Sequence, residues 1–198
     1  DLIVFPELCF SSYPPLDLLD RPEFVDASIS AREKFLELTK KSKATIVIGG
    51  ISKSTKPTGR FLQNTAVAIQ GGKVVAEQAK RLLPTYDVFD EARYFEPGEN
   101  SKLNSLSIGS EKIKLGLSVC EDAWFEAAQK GGKSLYEHDP APDLKGADLV
   151  VNVSASPFEL NKQTRRKELL QSFVQRVGAP LVYVNQVGAN DEILFDGR

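Results

Sequence analysis

Histidine is nearly missing from this sequence, and its scarcity removes whole classes of chemistry. Only His138 stands among 198 residues. A zinc centre gathers several His and Cys ligands, so no metal site is expected, and only one Cys–His or Ser–His pair could form. Two cysteines, Cys9 and Cys120, cannot build a disulfide framework, and a reduced, cytoplasmic setting is the expectation. Apolar runs fall far short of the roughly 20 residues that cross a bilayer. No basic, apolar leader opens the chain, so neither membrane insertion nor secretion is expected. The net charge is only −2 and the basic residues are scattered, unlike the footprint of a nucleic-acid binder. A Gly-rich phosphate loop is lacking, and so is an initiator methionine. The chain opens inside the apolar run Leu2-Ile3-Val4-Phe5 and stops after a strand-like Glu192-Ile193-Leu194-Phe195, so both ends read as cut from a longer protein.

What is present is an ordinary globular composition, 41% apolar and 26% charged, long enough for one core and one domain. Short, nearly continuous apolar runs cover residues 2–5, 45–48, 115–119, 149–153 and 181–184. Rich in β-branched residues and bounded by Gly, Asp or Pro, they predict strands buried on both faces. Ser30-Ala31-Arg32-Glu33 has the form of a capping box and predicts a helix start, with Phe35 and Leu38 on its apolar face. Leu169, Leu170, Phe173, Val174 and Val177 form a second helical stripe, which Gly178 is placed to end. Residues 65–70 and 73–77 alternate around Gly71-Gly72, a two-residue hairpin turn. Hairpins mixed with helical crossovers predict a layered α/β protein, not a parallel barrel. Residues 130–142, with two glycines and two prolines, read as a mobile loop.

Three residues at strand ends can carry chemistry, and each also has a bland reading. Cys120 ends the run Gly116-Leu117-Ser118-Val119, at the carboxyl end of a strand, where α/β folds put their sites. A small buried hydrophobe is the alternative, although Glu121 and Asp122 beside it fit that poorly. Glu7 follows the first strand directly, as either a surface turn residue or a base whose pKa desolvation raises. Lys80 precedes Arg81-Leu82-Leu83-Pro84 and is either solvated or an electrostatic partner.

The strings Phe5-Pro6-Glu7, Lys80-Arg81-Leu82-Leu83-Pro84 and Val119-Cys120-Glu121-Asp122, in that order, resemble the nitrilase superfamily. That resemblance implies an αββα sandwich and a Glu–Lys–Cys triad. A closer likeness is to the glutaminase domain of the glutamine-dependent NAD synthetase family. It rests on Pro6-Glu7-Leu8 with residues 13–19, residues 83–91 with Arg93-Tyr94-Phe95, residues 120–124, residues 152–158 and residues 184–188. It implies Glu7 as general base, Lys80 as oxyanion stabiliser, Cys120 as nucleophile and Glu91 as a supporting second glutamate. By the same likeness Tyr13, Tyr86, Glu121, Trp124 and Ser156 shape a pocket for L-glutamine, with Lys162 near the substrate carboxylate. Core packing is the alternative for Tyr86 and Trp124, and a turn role for Tyr13 and Ser156.

Residues 1–198 would then be one incomplete glutamine amidohydrolase domain, lacking the family's opening strand and helix. The synthetase domain, with its ATP, magnesium and deamido-NAD, would lie outside this chain, and the whole would form a homo-oligomer. No cofactor is implied for the glutaminase step. Chemically, a buried carboxylate could take the thiol proton while an ammonium and a backbone N–H, such as that of Glu121, hold the oxyanion. The same ammonium would lower the thiol pKa. Other readings are a free-standing amidase or carbamoylase with the same triad, a non-catalytic scaffold of the same fold, and a Cys–His hydrolase using His138.

Overall fold

The computed structural model describes residues 1–130 and 133–198. The first sheet holds β1 (Leu2–Val4), β2 (Thr45–Lys53), β3 (Leu62–Gln70) and β4 (Lys73–Ala79), in that order. Between β1 and β2 runs helix α1 (Pro22–Thr39), and after β4 comes the short helix α2 (Glu91–Tyr94). Next are the hairpin partners β5 (Leu103–Ile108) and β6 (Glu111–Val119), then the small pair β7 (Gln129–Lys130) and β8 (Lys133–Ser134). Strand β9 (Leu149–Ser154), helix α3 (Lys162–Val177), strand β10 (Leu181–Asn185) and the hairpin of β11 (Val187–Asn190) with β12 (Ile193–Asp196) complete the chain. The second sheet has the order β10-β9-β6-β5.

Alternation along the strands decides the layers. Val47, Ala66, Ala68 and Ala76 from the first sheet meet Leu115, Leu117, Val119, Val151 and Val153 from the second, forming the core between the sheets. Small alanines face large leucines, which lets the two faces interdigitate. The opposite parity of the first sheet, Ile46, Ile48, Val67 and Ile69, packs outward against Phe35 and Leu36 of α1. Val150 of β9 likewise meets Phe173 and Val177 of α3 on the outer side. The result is helix, sheet, sheet, helix: a mixed αββα sandwich with no closed barrel.

The apolar runs fall in strands except for Phe5, which lies just past β1, and the hairpin turn at Gly71-Gly72 is formed with both residues at positive φ. Gly178 ends α3 at φ 77°, its N–H donating to the Val174 carbonyl at 2.8 Å. Three local expectations are corrected. Helix α1 begins at Pro22, not at the Ser30 capping box, because a proline at its first position already supplies a pre-set φ. With that start the inward stripe passes through Val25, Ser28, Leu36 and Thr39, which leaves Leu38 82% exposed. Strands β1 and β10 are only partly buried instead of buried on both faces, and Ile3 is 45% exposed. Of the loop expected at 130–142, Gly131 and Gly132 lie outside the described residues. Its remainder contains β8 and a 3₁₀ turn, Ala141–Leu144.

Strand direction sets up the site. β1 is parallel to β2, and β3 is antiparallel to both β2 and β4, so β1, β2 and β4 run the same way. β6, β9 and β10 are mutually parallel in the second sheet. The carboxyl ends of β1, β4, β6 and β9 thereby deliver Glu7, Lys80, Cys120 and Ala155 to one end of the sandwich.

Candidate active site

Glu7 is fully buried in the turn after β1, with its backbone N–H facing the Ser154 carbonyl of the second sheet. A glycine makes that turn possible. A Cβ on Gly49 of β2 would lie 2.5 Å from the Glu7 Cα and 2.6 Å from the Pro6 carbonyl oxygen. The Glu7 Oε1 accepts hydrogen bonds from the Lys80 ammonium at 2.8 Å and the Asn64 amide at 2.7 Å. Its Oε2 accepts from the Ala155 N–H at 2.9 Å. Lys80, just past β4 and 1% exposed, donates also to Glu91 Oε1 at 2.6 Å. Glu91 in turn accepts from the Tyr13 hydroxyl at 2.7 Å.

Two carboxylates thus share one ammonium in a region without solvent access. Burial alone would push the Lys80 amine down, but Glu7 and Glu91 outweigh it and hold the group well above the usual lysine range, so it is charged. Glu91 is raised from 4.5 to about 7, by burial first; the Lys80 charge opposes that rise and the Glu7 charge adds to it. Ionisable groups are costly to bury, and such clusters mark sites of chemistry.

Cys120 follows β6 and opens a 3₁₀ turn, Cys120–Ala123, at a φ of 38°, a conformation that L residues rarely hold. Neighbours enforce it. Asp122 receives the Val119 N–H at 3.1 Å, and the Asn152 amide donates to the Cys120 carbonyl at 3.4 Å. The thiol is close enough to Glu7, Lys80 and Glu121 for all three charges to act on it, and it faces the same Ala155 N–H that binds Glu7. Its pKa is pushed up, chiefly by burial and then by Glu7. Lys80 pulls it down, but not enough. Lys80 thus acts in the expected direction but is outweighed, and the resting sulfur carries its proton.

Cys120 opens onto a cavity of about 410 Å³, which Tyr86, Glu121, Trp124, Ser156 and Lys162 also line. Glu121 accepts from both Tyr86 and Tyr136 hydroxyls at 2.8 Å, and burial raises its pKa. Lys162, at the start of α3, lies 5.7 Å from the centre of the Trp124 ring, and burial lowers its pKa. Arg165 lines the same wall. The buried Arg166 donates to the Ser156 hydroxyl at 3.2 Å, fixing that side chain. Tyr13 stands apart from this lining, with its hydroxyl on Glu91. His138 is not in the lining either; its side chain is 73% exposed beside Glu137, which leaves the Cys–His reading without a base. Cys9 hydrogen-bonds the Gly49 carbonyl instead, and burial pushes its thiol up to about 11.

The carbon-nitrogen hydrolase family profile matches residues 1–197 of the chain. The chain belongs to the carbon-nitrogen hydrolase family. Among relatives in that family, the glutamine-dependent NAD(+) synthetase of Synechocystis is 38% identical across the whole chain, which covers 35% of that protein. The enzyme of the same name from Thermotoga maritima is 36% identical, with 31% of its length covered. A solved glutamine-dependent NAD+ synthetase from Acinetobacter baumannii superposes with a TM-score of 0.78 at 31% identity, over all of this chain and 34% of that one. An amidase of the nitrilase superfamily from Nesterenkonia shares the fold, with a TM-score of 0.75 at 23% identity over 99% of this chain and 67% of its own. The chain therefore spans about a third of the length of the synthetases it resembles.

Several residues of this carbon-nitrogen hydrolase site escaped the sequence reading. Asn64 sits mid-strand in β3 and bonds both Glu7 and, at 3.5 Å, Glu91. Only its buried polar character within an apolar strand could have flagged it. Tyr136 lies in the segment read as a loop, where nothing local marks it. Asp122 stood in plain view beside Cys120, but two of its three partners, the Arg81 and Leu82 N–H groups, are 41 and 40 residues away. Among the described residues no group of three His, Cys, Asp or Glu could hold a metal ion, and no helix is long and apolar enough to cross a membrane.

Proposed function

We propose that this chain hydrolyses the side-chain amide of L-glutamine to glutamate and ammonia, through a thioester on Cys120. The observation that carries this reading is the buried Glu7–Lys80–Glu91 array beside the Cys120 thiol, which opens onto a cavity lined by carboxylates such as Glu121 and by the cations Lys162 and Arg165. The names of the relatives make glutamine the substrate of choice.

Because Cys120 rests protonated, Glu7 takes its proton as the sulfur attacks the amide carbon. The carbonyl electrons move to oxygen, where the Lys80 ammonium and a backbone N–H, that of Glu121, balance the charge. Glu7 then protonates the nitrogen, the C–N bond breaks and ammonia leaves. Water next gives a proton to Glu7 and attacks the thioester. The C–S bond breaks, and the proton returns to sulfur. Glu91, held by Tyr13, keeps Lys80 aimed. Glu121, fixed by Tyr86, receives the substrate ammonium, and Lys162 receives its carboxylate beside Trp124 and Ser156.

The ammonia would amidate deamido-NAD to NAD in an ATP- and magnesium-dependent step on a domain outside this chain. These residues contain no phosphate loop to bind ATP. A cytoplasmic homo-oligomer belongs to the same proposal, and light scattering of the full-length protein checks the assembly. The decisive test is Cys120→Ala in the full-length protein. It should abolish glutamine hydrolysis while leaving NAD synthesis from free ammonia nearly intact. Loss of both activities, or of neither, refutes the assignment.

A further inference from the structure

The amine and the thiol of this site belong to different sheets. Lys80 extends β4 of the first sheet and Cys120 ends β6 of the second, and the two sheets meet through apolar side chains. Such contacts are non-directional and do not by themselves fix the offset between the two strand ends. One side chain links the two strand ends directly. Asp122 Oδ1 accepts the backbone N–H groups of Arg81 and Leu82, each at 2.9 Å, and its Oδ2 accepts the Val119 N–H at 3.1 Å. Arg81 and Leu82 directly follow Lys80, and Val119 directly precedes Cys120.

We infer that Asp122 is a positioning residue for the hydrolysis proposed above: its carboxylate sets the Lys80 strand end against the Cys120 turn. The side chain is short and buried, so it transmits position with little slack. Two oxygens bonded to three main-chain donors make a bridge that neither a longer acid nor an amide reproduces. An asparagine would set its own NH₂ against one of those donors. A glutamate would keep the charge and the acceptors but push the strand end away by a methylene. The same three bonds could merely stabilise the turn, and the test must separate that role from positioning.

The inference rests on the glutaminase reading, so the full-length enzyme and its Cys120→Ala form are assayed first. An inert parent enzyme defeats that reading. Given an active parent, Asp122→Asn and Asp122→Glu should each lower kcat for glutamine at least tenfold, with KM changed less than about twofold. Leu106→Ala, a core truncation on β5, serves as a control that loses stability without losing kcat. Alkylation of Cys120 by iodoacetamide needs no glutamine and should slow in both Asp122 variants, because Glu7 and Lys80 no longer face the sulfur correctly. Parent-like kcat and alkylation in the folded glutamate variant would overturn the inference even if glutamine hydrolysis is established. So would losses in both variants no larger than those of Leu106→Ala at matched stability.

Discussion

Glu91→Gln probes whether the second carboxylate on Lys80 titrates near neutrality. Burial, only partly offset by Lys80, raises Glu91 from 4.5 to about 7 in the folded chain. Between those values the unfolded chain has released a proton that the folded chain keeps. Stability from this group is therefore fully present below about 4.5 and is lost as pH rises through about 7. At ~1.4 kcal/mol per pKa unit, the loss is about 3 kcal/mol. Glutamine does not titrate, so the variant lacks this slope and should gain about 3 kcal/mol on the parent between roughly pH 4.5 and pH 8. Asp122, which burial raises from 3.8 to about 6, contributes with the same sign at lower pH but is common to both proteins and cancels. Urea denaturation across this range measures the difference. Parallel pH profiles for parent and variant would show that Glu91 is an ordinary carboxylate and that the charge arrangement around Lys80 has been misread.

Tyr136→Phe removes one of two hydroxyls that hold Glu121, a charge-assisted hydrogen bond of about 1.5–3 kcal/mol. KM for glutamine should rise about tenfold or more with kcat within about twofold; an unchanged KM would remove Glu121 from substrate binding. Gly49→Ala drives a Cβ into the backbone of the Glu7 turn, with its closest contact at 2.5 Å, so hydrolysis should vanish and thermal stability fall by several degrees. Retained activity would mean the turn tolerates a shift. Cys9→Ser should leave glutamine hydrolysis within about twofold, since that thiol hydrogen-bonds the Gly49 carbonyl away from the cavity lining. An inactive Cys9 variant would point to the wrong nucleophile.

Much of the architecture could be read from periodicity. The runs at 45–48 and 149–153 are continuous because those strands are sandwiched between another sheet and a helix, and hydrophobic burial on both faces needs no partner to be named. The stripe from Leu169 to Val177 and its Gly178 end were equally plain, since helix period and left-handed glycine are local properties. The start of α1 was not. The Ser30 box fits a helix start, but Pro22 opens the helix earlier, and the turn it adds buries Val25 beside Leu19 and Ile51.

The residue types Glu7, Lys80, Cys120 and Glu91 are fixed by the sequence, as is the location of the first three at strand ends, whereas Glu91 opens the short helix α2. Tertiary structure decided what those groups are. Distant strands meet at one end of the sandwich, and only there does Glu91 rise toward neutrality and the Cys120 thiol hold its proton more tightly. It also assigned Tyr13 to Glu91 and set Asn64, Asp122 and Tyr136 around the reacting groups. Charge shifts and hydrogen bonds depend on distances through space, and distance through space is what a linear order of residues does not carry.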